Sequence, residues 1–468
     1  MSHEPPRCSL PSSPSTRKCP SSSGRGRGAP EALGVDPPPQ AGEGKWQAAC
    51  VLGRVGKERG AVRAILSDRS VAAVIALALF LNLGTGIVLP ILPLFARSFG
   101  VDYGQAGLLV GAFYFARLMS DLTASAVVNR LGVRRAAASG LILLALGALL
   151  TGLSPSFWVA VICWASAGAG AGTVFAAMYN ALIRGVERSR MARALGLFYG
   201  AFNGGVVAGG FIGGLVASRL GLAAPLFCLA GIAAVLSAVM LRLLVDPAPS
   251  PAEEPISSLA AGAPGGRSAS KPASVFALLR IPGFAAAVIA ALANLWVFGA
   301  VFNTLVPLFA RDVLHLSTLG IGILYAISLA AEFFAYYPAG SWADTRGRRY
   351  VLIPAFALLA IATVSLGWAT TAVVFAVLLA ILGMASAFSG VPPGAILADV
   401  LPVKESARGI AVFRFGVDVG FTLGPLVAGL TAGAFGFSAA FAITGVPCLV
   451  ALLVVSLSRE TLARERTA

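Results

Sequence analysis

Charge is what this sequence has least of. Only 12% of its 468 residues are Asp, Glu, Lys or Arg, while 57% are hydrophobic, and the mean hydropathy is +0.84. A soluble chain of this length needs far more polar surface to cover its core. The motifs of soluble chemistry are missing too. There is no nucleotide-binding loop, no metal-ligand spacing and no nucleophile motif, so nothing points to an enzyme, a cofactor or a metal. The six cysteines fall into no pattern. Cys8, Cys19 and Cys50 lie near the start and Cys163, Cys228 and Cys448 inside apolar runs, which gives no disulfide framework. Residues 1–69 lack a continuous apolar stretch of the signal-peptide type.

What is present is a succession of apolar runs from Val71 to Leu457. A helix of roughly 20 apolar residues crosses the hydrocarbon of a bilayer. In lipid every backbone N–H and C=O must be satisfied internally, so such runs fold as helices. The pattern predicts an all-α polytopic membrane protein with twelve spans at 71–96, 104–128, 135–153, 157–183, 192–218, 222–245, 282–310, 317–341, 350–367, 372–398, 407–433 and 437–457. Two segments cannot build a core. Residues 1–69, rich in Pro, Ser, Gly and Arg, are expected to be a disordered cytoplasmic tail, or a stretch upstream of the true start. Residues 246–279 are a Pro/Ala/Ser/Gly linker between two six-helix bundles, 70–245 and 280–457, and 458–468 form a short cytoplasmic tail.

The net charge of +15 does not indicate nucleic acid, because the basic residues are scattered through short loops and the N-terminal tail. Their distribution sets an orientation instead. Sixteen Lys and Arg fall in the loops after even-numbered spans, against Arg97, Arg219 and Arg311 in the others. The positive-inside rule then places both termini and the linker in the cytoplasm. The expected setting is a cell (inner) membrane, with the lipid bilayer as environment and the chain a monomer.

The chain also repeats itself. The pentapeptide PLFAR stands at 93–97 and again at 307–311, an offset of 214. At an offset of 215, SAVVNRLGVRR (125–135) matches GSWADTRGRRY (340–350), and GVVAGGFIGG (205–214) matches GFTLGPLVAG (420–429). Two six-helix halves in parallel orientation follow. The two charged stretches sit in short hairpins, where Gly132 and Gly347 permit a tight turn.

These residues resemble a family. GSWADTRGRR (Gly340–Arg349) is similar to the hairpin signature G-x-L-A-D-R-x-G-R-R of the major facilitator superfamily. LGTGIVLPILP, with Gly84, Pro90 and Pro93, resembles the first-helix pattern of its twelve-helix drug/proton antiporters. The ladder Gly209, Gly213, Gly214, with Gly424 and Pro425 in the repeat, resembles their antiporter motif. Four positions depart from the pattern: Ser125, Asn129, Gly210, and Trp164, which stands where the antiporter arginine is expected. The resemblance implies a cytoplasmic gate built from Gly340, Asp344, Gly347, Arg348 and Asp399, with Arg130, Gly132 and Arg134 in the weaker hairpin. Asp344 is expected at the start of span five near Arg193, and Arg348 or Arg349 against Asp399, so that the cluster latches the two halves.

Ionisable groups within spans are functional candidates by default. Here they are Arg117, Asp121, Glu332, Arg414 and Asp418. The resemblance packs span two on span eleven and span five on span eight. Matching depths then predict ion pairs Arg117–Asp418 and Asp121–Arg414, and set Glu332 opposite Asn203 and Tyr336 opposite Tyr199, with no basic partner. Glu332 is thus the expected proton-coupling carboxylate. Prolines 90, 93, 307, 338, 392, 393 and 425 are expected to bend helices, and Phe113, Tyr114, Tyr179, Phe202, Trp296, Tyr325 and Phe388 are candidates for lining a cavity. The expected function is secondary transport of small solutes by alternating access. Proton-coupled efflux of hydrophobic or amphiphilic compounds is foremost. A symporter or facilitator for an organic anion or sugar-like solute, with Arg117 as anchor, and a transport-inactive sensor or scaffold are the alternatives.

Overall fold

The computed structural model describes residues 69–186, 191–243, 278–401 and 406–461, all within one compact unit, Gly60–Ala468. The N-terminal tail, the linker and the side chains of Asn129 and Arg193 lie outside the described residues.

Among the described residues there is no β-strand, and twelve spans are present. The first half runs α1 (Arg69–Val88), α2 (Leu92–Arg97), α3 (Tyr103–Leu131), α4 (Val133–Gly152), α5 (Phe157–Gly185), α6 (Met191–Leu220) and α7 (Ala224–Leu243). The second runs α8 (Pro282–Val297), a π-helical segment (Phe298–Leu305), α9 (Val306–Asp312), α10 (Thr318–Arg346), α11 (Arg348–Leu366), α12 (Ala372–Gly390), α13 (Pro392–Val400), α14 (Ser406–Phe435) and α15 (Phe437–Leu457). Eleven of the spans are long and apolar enough to cross a membrane. The twelfth, α3, has the length at 29 residues and carries Arg117, Asp121 and Arg130.

Three spans are interrupted, each at proline, which removes a backbone donor and crowds the preceding turn. The first breaks between α1 and α2 around Pro90, and the tenth breaks before Pro392 and Pro393. The seventh widens into the π-helical segment just before Pro307. Three helix starts on the arginine-poor end are capped by side chains: Asp102 accepts from Gln105 N at 2.7 Å, Ser317 from Gly320 N, and Thr371 from Val374 N.

The repeat is visible in detail. Gly132 and Gly347 both turn their hairpins with positive φ, 80° and 117°. Arg134 then donates to the Leu241 carbonyl, and Arg349 to the Ser456 carbonyl, positions separated by the same offset. The halves meet along two seams, α3 on α14 and α6 on α10. Glycines make close approach possible on both. A Cβ on Gly107 would stand 3.2 Å from Gly429 Cα, and one on Gly322 would stand 2.9 Å from Gly214 Cα. Gly209 and Gly213 press on α1 in the same manner, and Gly424 on α8.

Candidate functional site: a central cavity between the halves

A cavity of about 330 Å³ lies between the halves, walled by α1, α3, α5, α6, α8, α10, α12 and α14. Its wall is chiefly aliphatic and aromatic, with polar groups at a few points: Asn82, Thr85, Tyr114, Arg117, Tyr199 and the expected Asn203 from the first half, Asn294, Glu332, Tyr336 and Ser386 from the second. The packing shows which way it opens. Toward the arginine-poor end α6 touches α10 through Gly210 and Gly214. Toward the arginine-rich end Gly196, Gly200 and Gly204 of α6 have nothing within 4 Å of a built Cβ, and Tyr199 is 45% exposed. The two helices therefore diverge toward the arginine-rich face.

Glu332 is the buried acid of this wall, 6% exposed. Helical spacing brings Tyr336 one turn away, and its hydroxyl donates to Glu332 Oε1 at 3.1 Å. The Ser386 hydroxyl of α12 donates to the same oxygen at 2.9 Å. Asn294 of α8 extends the network, donating to the Ser386 carbonyl at 3.0 Å and to Ser389 Oγ at 2.8 Å. No cation pairs with Glu332 among the described residues. Asn203, placed opposite it by sequence, donates instead to the Tyr199 carbonyl of its own helix. Its amide is satisfied one turn back, and Glu332 finds its donors within its own half.

Of the two ion pairs expected across the α3–α14 seam, one forms. Arg414 Nη2 lies 3.7 Å from Asp121 Oδ2. Arg117 and Asp418 do not pair. The Arg117 guanidinium lies over the Phe175 ring at 5.4 Å, and its buried Nε has no hydrogen-bond partner. Arg414 also lies over Phe175, at 4.7 Å, so one ring carries two cations. Equal depth along two helices does not make equal direction around them, and the aromatic ring draws the guanidinium aside.

The gate cluster also differs from expectation. Arg348 does meet Asp399, at 3.3 Å, and it meets Asp344 as well. Every described partner, however, lies in the second half. Asp344 is 68% exposed and pairs with Arg348 alone, so among the described residues it does not join the halves. Glu460, which sequence reasoning passed over, is the group at a helix start. Its two carboxylate oxygens accept from Arg348 N at 2.9 Å and Arg349 N at 3.0 Å, capping α11 after Gly347. Gly340 has open space around it, with only Val391 near, at 3.9 Å. In the first hairpin Arg130 is exposed.

Among the aromatic candidates, Phe113, Tyr114 and Phe202 line the cavity, whereas Tyr179, Trp296, Tyr325 and Phe388 do not. Tyr199 and Tyr336, expected to face each other, both line it, and Phe175, Phe298, Phe333 and Phe421 line it without having been singled out. The polar residues missed, Asn294, Ser386 and Ser389, had a signal: each is a hydrogen-bonding side chain inside an apolar run.

The sequence profile of the Major Facilitator Superfamily matches residues 74–334 and 314–467. The chain belongs to this superfamily. It is an integral membrane protein. Among curated members, a stretch of 157 residues is 30% identical to Multidrug resistance protein MdtG of Rahnella sp., covering 31% of this chain and 37% of that protein. A stretch of 176 residues is 26% identical to Multidrug resistance protein 2 of Bacillus subtilis, covering 36% and 44%. The chain thus spans about two fifths of the length of the relatives it matches. The fold is shared with a bacterial homologue of the human lysosomal transporter Spinster in an inward-facing, occupied conformation, at TM-score 0.68 and 13% identity over 83% of this chain and 95% of the other. It is shared equally with the nucleoside transporter NupG, at TM-score 0.66 and 14% identity over 83% and 99%.

Proposed function

We propose that this superfamily member is a secondary transporter that exports hydrophobic or amphiphilic solutes by alternating access, coupled to protons. The observation that carries the reading is Glu332: a buried carboxyl, held by two hydroxyls and, among the described residues, by no cation, in the wall of a largely apolar cavity. An apolar wall with few polar points accepts chemically varied amphiphiles. A buried acid in the same wall can take up and release protons as access alternates. Multidrug resistance proteins among the relatives support the substrate class. With the arginine-rich face cytoplasmic, the cavity opens inward.

The test is transport in proteoliposomes over a panel of lipophilic dyes and metabolites, with Glu332→Gln beside the wild type. The variant is expected to lose uphill movement driven by a pH gradient and to keep downhill counterflow. A variant that still concentrates substrate under a proton gradient removes Glu332 from the coupling.

One observation favours a second reading. Arg117 lines the cavity, has no ion pair within 4 Å among the described residues, and keeps a buried Nε without an acceptor. An organic anion would supply both charge and acceptor. Because an anion and a proton attract, they would load together, as co-transport. Saturable uptake of an aromatic carboxylate, absent for its neutral amide and lost in Arg117→Gln, decides for this reading over export.

A further inference from the structure

At its arginine-poor end the cavity is closed by a contact between the halves. The Asn303 amide, in the π-helical segment of the second half, donates to the Tyr114 hydroxyl of α3 at 3.0 Å. Both residues are buried, Asn303 at 1% exposure and Tyr114 at 8%. The Tyr114 ring lies flat on Phe421 of α14 at 4.7 Å, which makes a second contact across the same boundary. Tyr114 lines the central cavity on one side and a void of about 10 Å³ on the other. Asn303 and Trp164 border that void, and neither Asn303 Oδ1 nor Trp164 Nε1 has a hydrogen-bond partner among the described residues.

We propose that the Tyr114–Asn303 hydrogen bond is the bolt of the outer gate, and that the π-helical segment carrying Asn303 is the element that shifts when it opens. The inference rests on the alternating-access reading and is independent of substrate and of proton coupling. A π-helical stretch holds one residue more per turn than the α-helix on either side, and it is a recognised site of local rearrangement. This one stands immediately before Pro307, where an α-helical ladder cannot be completed. Returning one turn to α-helical winding would rotate Asn303 away from Tyr114.

The experiment measures access from both faces, in a background whose six native cysteines are replaced by serine. One reporter cysteine replaces Val110, which is 2% exposed and borders the void. A second, in a separate protein, replaces Gly200, whose surroundings are open on the other side of the cavity. Each is labelled with a membrane-impermeant maleimide in proteoliposomes of known orientation. Tyr114→Phe keeps the ring stack and removes the bond. It is expected to raise labelling at position 110 and lower it at position 200, the ratio of the two changing by roughly threefold to tenfold, the population shift one neutral hydrogen bond supports. Asn303→Leu removes the same bond from the other half and is expected to repeat the result, which covers the case of one variant failing to fold. Unchanged labelling at both positions overturns the proposal. So does a rise at 110 without a fall at 200, since that is local loosening and not a change of access.

Discussion

Gly214 of α6 and Gly322 of α10 touch backbone to backbone: a Cβ on Gly214 would stand 2.7 Å from Gly322 Cα and 2.6 Å from the Thr318 carbonyl oxygen. Their repeat equivalents, Gly429 and Gly107, make the corresponding contact on the other seam, between α14 and α3. Close helix contact of this kind is how membrane helices gain packing without a hydrophobic drive. Here it closes one end of the cavity while the other end diverges.

Gly214→Ala and Gly107→Ala are therefore expected to open the arginine-poor end by the same steric route. Each should reduce transport several-fold while membrane insertion is retained. Gly200→Ala, with nothing within 4 Å, serves as the control and should behave as wild type. Transport rates in matched proteoliposomes check the comparison.

Asp121 and Arg414 form an ion pair that joins the halves beside the cavity. Removing either charge alone, as Asp121→Asn or Arg414→Gln, is expected to impair transport more than removing both. A double-mutant cycle on transport rate measures the coupling, and additive losses would mean the pair is not a unit.

Within the charged hairpin the two acids around Arg348 differ. Asp344 is 68% exposed, so Asp344→Asn should lower thermal stability by less than about 1 kcal/mol, in the range of exposed ion pairs. Asp399 is 29% exposed and also accepts from the Thr461 hydroxyl, so Asp399→Asn should cost more. Melting of the purified protein in detergent ranks the two.

Glu460 caps α11 through two backbone N–H groups. Glu460→Ala leaves those donors without their carboxylate and is expected to destabilise the second half by about 0.5–2 kcal/mol, the usual loss for a helix cap. A truncation ending at residue 459 should give a similar melting shift, because it removes the same group.

The fold was legible in the sequence because lipid leaves a long apolar run little choice but to be a helix. The repeat offset tied the two hairpins together before any contact was known, and positive φ at both Gly132 and Gly347 follows the same correspondence. The site was harder. Depth along a helix can be counted, and it brought Asp121 to Arg414. Direction around the helix cannot be counted to the same accuracy, so Arg117 was matched with Asp418 and rests on Phe175 instead. Glu332 stood out as an acid in an apolar run. Its partner Ser386 lies 54 residues away on another helix, a contact that only packing reveals. Glu460 was hidden for a plainer reason: a lone acid beyond the last span resembles any tail residue until the chain is folded back on α11.

The two arginine ties, Arg134 to the Leu241 carbonyl and Arg349 to the Ser456 carbonyl, bind main chain rather than side chain. Their acceptors are indifferent to which amino acid carries them, and leucine stands at one position where serine stands at the other. The halves of a duplicated ancestor could thus drift apart in sequence at these points while the third and sixth helices of each stayed tethered. That freedom bears on engineering: positions 241 and 456 should accept labels or probes that leave the tether in place, which makes them natural anchors for reporting on each bundle as a solid body.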